Sequence, residues 1–416
     1  MKKIEYKWVA LALLWVAFFL QQGTRQIYGP LLGSIQTAVG ATDVQLGLVS
    51  TVFTLMYGLT IPFAGFAADL FSRKWMVVVG VAIFSAGILT SGMVTCIGAL
   101  VVTYGLINGF GQPFYYPSST SLISQLHAES KATALSILQL GMYIGVIGCS
   151  WLAGWFAGLG PDGWRLPFKA LGVVGILWAV VLAFMLRNTG ASRSGASVSD
   201  AQERIPPADR VTIGAALKAM FAKPAAVLIA LALGMEVYVD VGFKTWMPNY
   251  LSETFGVSKA SAGLNAVLWH YIGAALGIVI GSRLGDKLVR RNPSIRFWII
   301  GGGLFLGAPF IVLMSQTTTY LVCCVAMFLF GVFRGAYDSN NFAAFFDVVE
   351  PRYHASAAGF NLMIAFLFGC FSPTVLGWTK AQYSMSTGLA TLSAAYVAGT
   401  VLLVFACRSF RRAQTR

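Results

Sequence analysis

The chain has 416 residues, of which 57% are hydrophobic and only 11% are charged, and its formal net charge is +14. A soluble domain carries about 25% charged residues, so this composition excludes an ordinary water-soluble globular protein. The six cysteines all lie in apolar segments and lack metal-ligand spacing. We therefore expect no disulfide framework, no metal site and no cofactor.

Apolar stretches long enough to cross a bilayer, which takes about 20 residues, recur along the whole chain. The first follows two lysines as a signal peptide would, but no hydrophilic mature domain comes after it, so we interpret it as a membrane helix. The sequence thus predicts an all-α membrane protein with twelve spans. Their approximate positions are 8–36, 43–70, 75–95, 97–124, 132–160, 167–187, 224–252, 258–286, 295–315, 318–346, 354–379 and 387–407.

One long polar interruption, 188–212, divides these spans six to six and is rich in Ser, Ala, Asp, Arg and Pro, as a flexible linker is. It predicts a six-helix bundle at 1–187, a cytoplasmic linker and a second bundle at 213–416. We expect the protein to act as a monomer.

Most Lys and Arg residues fall in the two tails, in the linker and in the loops on that same side of the membrane. The opposite loops carry only Arg165, Lys169, Lys259 and Lys380. Because positive loops stay in the cytoplasm, we predict a multi-pass protein of the bacterial inner membrane with both termini cytoplasmic. The net charge then requires no nucleic-acid partner.

The first span contains Arg25, with Gln21, Gln22 and Tyr28 at helical spacings from it. A buried charge is costly unless it faces a polar cavity, and a guanidinium holds a carboxylate or phosphate through two parallel hydrogen bonds. We therefore predict an anion-binding face here. Alternatively, Arg25 pairs with an internal acid or reaches the membrane interface.

An internal repeat supports a duplication, because the segment that begins at Gly40 parallels the one that begins at Gly256. In each copy, Thr42 or Ser258 is expected to cap the next helix.

A second pair of repeats follows, in which Gly65, Asp69, Arg73 and Lys74 are matched by a segment with Asp286, Lys287, Arg290 and Arg291. This pattern resembles the loop signature of the major facilitator superfamily, G-x-x-x-D-(R/K)-x-G-(R/K)-(R/K). The first copy departs from it at two positions and the second copy lacks the first Gly. The resemblance implies twelve helices in two pseudo-symmetric halves and a conformational latch formed by these loops. Alternatively, the basic residues of these loops only anchor the helices at the cytoplasmic face of the membrane.

Within that superfamily, Arg25 and the segment 245–251 look most like the anion:cation symporter and organophosphate antiporter group. In the fourth span, Asn108 and Gln112 could bind substrate hydroxyls. Many proton-coupled relatives have an Arg where this chain has Gly105, so proton antiport by that route is not expected.

Glu236, Asp240 and Lys244 follow one another at four-residue steps in the seventh span. Two carboxylates so close in a low-dielectric cavity do not easily both stay ionised, so we predict that one of them carries the coupling proton. If Lys244 pairs with Asp240, Glu236 becomes the favoured carrier. His270 in the eighth span is a further candidate, although it is equally compatible with packing.

The tenth span contributes Arg334, Asp338, Asn340 and Asn341. We predict that Arg334 binds substrate and that the two asparagines bind its hydroxyls, with Asp338 a further proton-coupling candidate. Alternatively, Arg334 pairs with Asp338 four residues away and is structural.

These residues predict a carrier with alternating access that takes up a small organic anion, a sugar acid or other carboxylate, by proton symport. Sodium in place of the proton is the alternative coupling ion. Three alternatives stay open: an organophosphate:phosphate antiporter, a drug exporter and a non-transporting membrane receptor. No phosphate-binding Gly-Lys-Ser/Thr loop occurs, and we do not predict an enzyme.

Overall fold

The computed structural model describes residues 5–127, 129–187, 213–292 and 294–414, and every regular element in these ranges is helical. The predicted linker 188–212 lies outside the described residues. Helices are numbered by the predicted span that they occupy, and a short additional helix covers Ile213–Phe221. They are α1a Tyr6–Gln26, α1b Tyr28–Val39, α2 Asp43–Leu70, α3 Arg73–Ser91, α5 Lys131–Ala157, α6 Arg165–Met185, α7 Pro224–Phe255, α8 Lys259–Val289, α9 Ile295–Gln316, α10 Tyr320–Phe346, α11a His354–Gly369, α11b Ser372–Gln382 and α12 Met385–Gln414.

The fourth span, α4, is a consecutive run of helical pieces: Ile97–Leu100, a π-helix Val101–Asn108, Gly109–Gly111, a 3₁₀ turn Gln112–Phe114 and Tyr115–Leu126. Ten helices in the described residues are long and apolar enough to cross a membrane, and they occupy predicted spans 2, 3 and 5–12. The all-α membrane fold is thus confirmed. The first and fourth spans, which are not among these ten, stay predictions as membrane crossings.

Two of the interruptions lie two to three residues before a proline. Pro30 has no N–H to donate, and its ring crowds the carbonyl of Gln26, where α1a ends. In α11, Pro373 stands in the same relation to Gly369, where α11a ends. The proline at each site therefore accounts for the place at which the helix breaks.

The predicted repeat of helix ends is confirmed. Gly40 and Gly256 both adopt the left-handed conformation, with φ of 65°, and end the preceding helix. Thr42 forms a complete capping box with Gln45, and Ser258 accepts a hydrogen bond from the backbone N–H of Ser261 at 3.2 Å.

Below, the N-terminal half denotes residues 5–187 and the C-terminal half 213–414, following the predicted division. α1b, α2 and α5 pack against α7, α8 and α11 across the two halves. Four of the side-chain contacts between the halves lie towards the end of the helices that carries the α1–α2 loop. They are Lys380 Nζ to Asp43 Oδ1 at 3.3 Å, Lys259 Nζ to Ser34 Oγ at 2.7 Å, Ser150 Oγ to the Gly263 carbonyl at 2.7 Å and Thr51 Oγ1 to Thr374 Oγ1 at 2.8 Å.

Large apolar side chains remain exposed around the outside of the helices, among them Phe63, Leu177, Phe184 and Leu321. Such a surface is unfavourable in water and favourable against lipid tails, as expected of a multi-pass membrane protein.

Candidate functional site

A cavity of about 490 Å³ lies between the two halves. It brings together residues that the sequence places on α1, α7 and α10. Of the predicted substrate-binding residues, Gln22, Arg25, Tyr28 and Arg334 line it. Its charged lining residues are Arg25, Glu236, Asp240, Lys244, Arg334 and Asp338.

Arg334 lies among three carboxylates. Its Nε is 2.7 Å from Glu236 Oε1, its Nη1 is 2.9 Å from Asp240 Oδ1, and Asp338 Oδ2 is 3.8 Å from Nε. The pairing with Asp338, which the sequence left as the alternative role of Arg334, is thus the longest of the three, and the two nearer carboxylates come from α7. Sequence spacing could not indicate this, because Glu236 and Arg334 are 98 residues apart.

Glycines help to place Arg334 close to its neighbours on α8. A side chain at Gly331 or Gly335 of α10 would collide with the backbone of α8, and one at Gly273 or Gly277 would collide with the backbone of α10. Small residues on both helices allow them to approach closely. As a result, Nη1 of Arg334 comes within 2.5 Å of Nε2 of His270.

Lys244 completes the charged cluster, with its Nζ 2.9 Å from Asp240 Oδ1. The pair of Lys244 and Asp240, on which the choice of Glu236 as proton carrier depended, is therefore present. With every group ionised, the cluster of Glu236, Asp240, Lys244, Arg334 and Asp338 holds three carboxylates against two cations, one negative charge in excess. Addition of one proton to a carboxylate would make the cluster neutral.

His270 is fully buried and packs on Phe330, with ring centroids 5.2 Å apart. A guanidinium only donates hydrogen bonds, so Nε2 of His270 must accept and the ring proton belongs on Nδ1. The contact requires a neutral imidazole. His270 does not line the cavity, and a second proton on its ring would break the contact with Arg334.

Arg25 is in a different environment on the opposite wall. Its guanidinium lies over the ring of Tyr57, 4.4 Å from the centroid, and 5.5 Å from the centroid of Phe53. Within the described part of the chain, no carboxylate forms an ion pair with it. The alternative that Arg25 pairs with an internal acid is therefore not seen among the described residues, and Arg25 faces the cavity.

Five predicted polar residues do not line the cavity. Gln21 donates to the carbonyl of Gln112 at 2.6 Å, and the side chain of Gln112 donates to Asn108 Oδ1 at 3.0 Å, so these three amides join α1 to α4. In α10, Asn340 donates to the Gly281 carbonyl at 2.9 Å, and Asn341 accepts from Tyr337 at 3.1 Å. All five side chains are buried and engaged within their own half.

The predicted latch residues lie at the other end of the helices. Among the described residues, no atom beyond the adjoining helix backbone lies within 4 Å of a side-chain carbon built on Gly65, so these residues do not pack closely on α2 there. In the second copy, Asp286 is 3.9 Å from Arg296, which binds Asp347 at 2.8 Å. The side chain of Asp69 lies outside the described residues, and the roles of Arg73, Lys74, Arg290 and Arg291 stay predictions.

The sequence profile of the Major Facilitator Superfamily matches residues 14–373. The cis,cis-muconate transport protein of Acinetobacter baylyi is 26% identical over 388 residues, 90% of this chain and 88% of that protein. The D-galactonate transporter of Escherichia coli is 22% identical over 400 residues, 91% of this chain and 90% of that protein. The human protein spinster homolog 1 is 26% identical over 370 residues, 83% of this chain and 68% of that protein.

Among solved structures, a bacterial homolog of the human lysosomal transporter spinster, in an inward-facing and unoccupied conformation, is similar in fold. Its TM-score is 0.79 at 20% identity, and the alignment covers 99% of this chain and 97% of the other. The structure of a D-xylose-proton symporter aligns with a TM-score of 0.71 at 14% identity, over 96% and 97% of the two chains. These likenesses show the shared fold.

Proposed function

Because the chain belongs to the major facilitator superfamily and is a membrane transporter rather than an enzyme, we propose that it takes up a small organic anion by proton symport. The two halves would rock about the central cavity and open it to each side of the membrane in turn. We place the protein in the bacterial inner membrane with both termini in the cytoplasm.

The observation that carries the proposal is Arg25, a cation in a cavity between the halves that forms no ion pair with any carboxylate of the described residues. A permanently charged planar guanidinium favours a carboxylate or phosphate over neutral or cationic molecules. Of the three relatives by sequence described above, two have names that state a substrate, muconate and galactonate, which are both organic carboxylates. A carboxylate therefore has more support than a phosphate ester or a cationic drug.

The cluster around Arg334 supports proton coupling. Arg334 cannot freely bind a substrate anion while Glu236 and Asp240 hold it. We propose that a proton from outside binds the Glu236 carboxylate, which removes the charge excess and weakens the hold on Nε of Arg334. The substrate would then bridge Arg25 and Arg334. After the substrate leaves inward, Glu236 releases its proton to the cytoplasm and recovers Arg334.

Glu236 is favoured over Asp240 because Asp240 is shared between Arg334 and Lys244, whereas Glu236 has Arg334 alone as its ion-pair partner within the described residues. Protonation of Asp240 would leave Lys244 without its partner. His270 is less suited, since its neutral form is the one that accepts from Arg334.

Uptake by the purified protein in liposomes tests this function. An inwardly directed proton gradient is expected to drive accumulation of a carboxylate, and sodium without a proton gradient is not. Accumulation driven by sodium would show that sodium, and not the proton, is the coupling ion. Strict counterflow with phosphate would favour the organophosphate antiporter. Binding without any uptake would favour a receptor.

We also propose that the contacts at the α1–α2 loop end hold that end closed in one state of the cycle. Asp43→Asn should weaken the cross-half pair with Lys380, which is partly buried. Because such pairs contribute about 0.5–1 kcal/mol, the population should shift about twofold to fivefold toward the state open at that end. Labelling of single cysteines placed at each end measures this shift.

Asp162→Asn is the matched control, because Asp162 lies at the same end but pairs with Arg165 of its own half. It should leave the labelling pattern unchanged. Equal shifts in the two variants, or none in Asp43→Asn, would show that the Lys380 pair does not hold the end closed.

A further inference from the structure

Aromatic rings surround Arg25. Tyr57 lies beneath its guanidinium, and Phe53 packs beside Tyr57 with centroids 6.2 Å apart. From the C-terminal half, Phe366 meets Tyr57 edge to face at 5.0 Å and 64°. All three rings line the cavity. The cation is therefore bordered by two rings of α2, and Phe366 extends this aromatic surface from the other half through its contact with Tyr57.

Two further tyrosines in this wall use their hydroxyl groups elsewhere. Tyr28 donates to the Leu46 carbonyl at 2.8 Å, and Tyr104 donates to the Arg25 carbonyl at 3.1 Å. Their rings stack at 4.9 Å and 25°. Because these hydroxyls are bound to backbone carbonyls, the two residues present ring surface to the cavity rather than hydrogen-bonding groups.

The hydroxyl groups of nearby Ser and Thr side chains also have hydrogen-bond partners within the protein. Thr54 donates to the Ser50 carbonyl at 2.8 Å, and the Ser50 hydroxyl pairs with Thr245 at 3.0 Å. The amides of Asn108 and Gln112, which would suit substrate hydroxyls, are buried between α1 and α4. Gln22 and Gln26 also line the cavity, and their amides are the lining hydrogen-bonding groups on the helix of Arg25. A sugar acid has a hydroxyl on most of its carbons, more than these two amides can pair, so part of the groups that it desolvates would lack a partner on this helix.

We propose that the site around Arg25 selects carboxylates with a flat aromatic or conjugated body over polyhydroxylated sugar acids. Arg25 holds the carboxylate, and the flat body lies against Tyr57 and Phe366, where ring contacts replace the water lost on binding. This inference rests on the proposed function, uptake of an organic anion, and names the class of substrate.

The selectivity is tested with three monocarboxylates, benzoate, cyclohexanecarboxylate and gluconate, which compete with one another for uptake into liposomes that contain the protein. Benzoate should have the lowest half-saturation concentration, at least about tenfold below that of gluconate, with the saturated ring between them. Gluconate equal to or better than benzoate would overturn the selectivity and leave anion uptake intact. Uptake or binding of none of the three would instead contradict the proposed function.

Variants of Tyr57 assign the selectivity to the rings. Tyr57→Leu should raise the half-saturation concentration for benzoate about threefold to tenfold and change that for gluconate less than twofold, whereas Tyr57→Phe should resemble the unchanged protein. Equal effects on both anions would overturn the assignment. If Tyr57→Leu does not fold, Phe366→Leu gives the same comparison from the other half. A lipid-facing control, Phe63→Leu, should alter neither anion.

Discussion

Replacement of Arg25 by alanine is expected to raise the half-saturation concentration for the transported anion about tenfold to a hundredfold. A hydrogen-bonded charge pair contributes about 1.5–3 kcal/mol, and no other cation on the N-terminal side of the cavity is available to replace Arg25 among the lining residues. Arg25→Lys keeps the charge but loses the planar fork, so its half-saturation concentration should lie between those of Arg25→Ala and the unchanged protein. Concentration-dependent uptake measures both effects.

Arg283→Ala provides the control for Arg25, because Arg283 lies on α8, is exposed and does not line the cavity. Its uptake should match that of the unchanged protein. Near-normal affinity in Arg25→Ala, with equal amounts of protein inserted in the liposomes, would remove Arg25 from the binding site.

Glu236→Gln is expected to abolish accumulation driven by a pH gradient and to preserve exchange of substrate at equal concentrations on both sides. The amide resembles the protonated acid in charge and can still accept from Nε of Arg334, so binding should survive while proton release cannot occur. Accumulation ratios and counterflow rates on the same liposomes measure the two properties.

Variants of two neighbouring acidic residues show whether the effect is specific to Glu236. Asp240→Asn should lower both accumulation and exchange, because it releases Lys244 as well as Arg334. Asp338→Asn should keep accumulation, since Asp338 is the most distant and the most exposed of the three. If Glu236→Gln and Asp240→Asn both still accumulate substrate, the coupling group lies elsewhere, and His270 and Asp338 are the next candidates.

Much of the fold could be predicted from the sequence because its signals are local. Apolar length indicated the ten helices that are long enough to cross a membrane. Gly40 with Thr42, and Gly256 with Ser258, indicated where one helix ends and the next begins. The interruption of α1 at Ile27 was not predicted, although Pro30 is the signal that would have indicated it.

The candidate site could be predicted only in part because its contacts join distant segments. Helical spacing correctly related Asp240 to Lys244, but it could not indicate that Glu236 is the nearest carboxylate to Arg334. Spacing placed Asn108 and Gln112 on one face of α4 without showing that this face packs on α1.

The aromatic residues around Arg25 were also missed by sequence reasoning. In an apolar span they are indistinguishable from packing residues, and the four-residue step from Phe53 to Tyr57 is a weak signal by itself. Only the position of Arg25 over Tyr57 gives these rings a functional interpretation.

In the proposed cycle, one proton bound at Glu236 crosses the membrane with the anion. A pH-sensitive dye enclosed in liposomes measures it directly when an inward substrate gradient is applied without an initial pH gradient. We expect acidification of the interior by the unchanged protein and substrate entry without acidification by Glu236→Gln. Substrate entry without acidification by the unchanged protein, or undiminished acidification by Glu236→Gln, would contradict it.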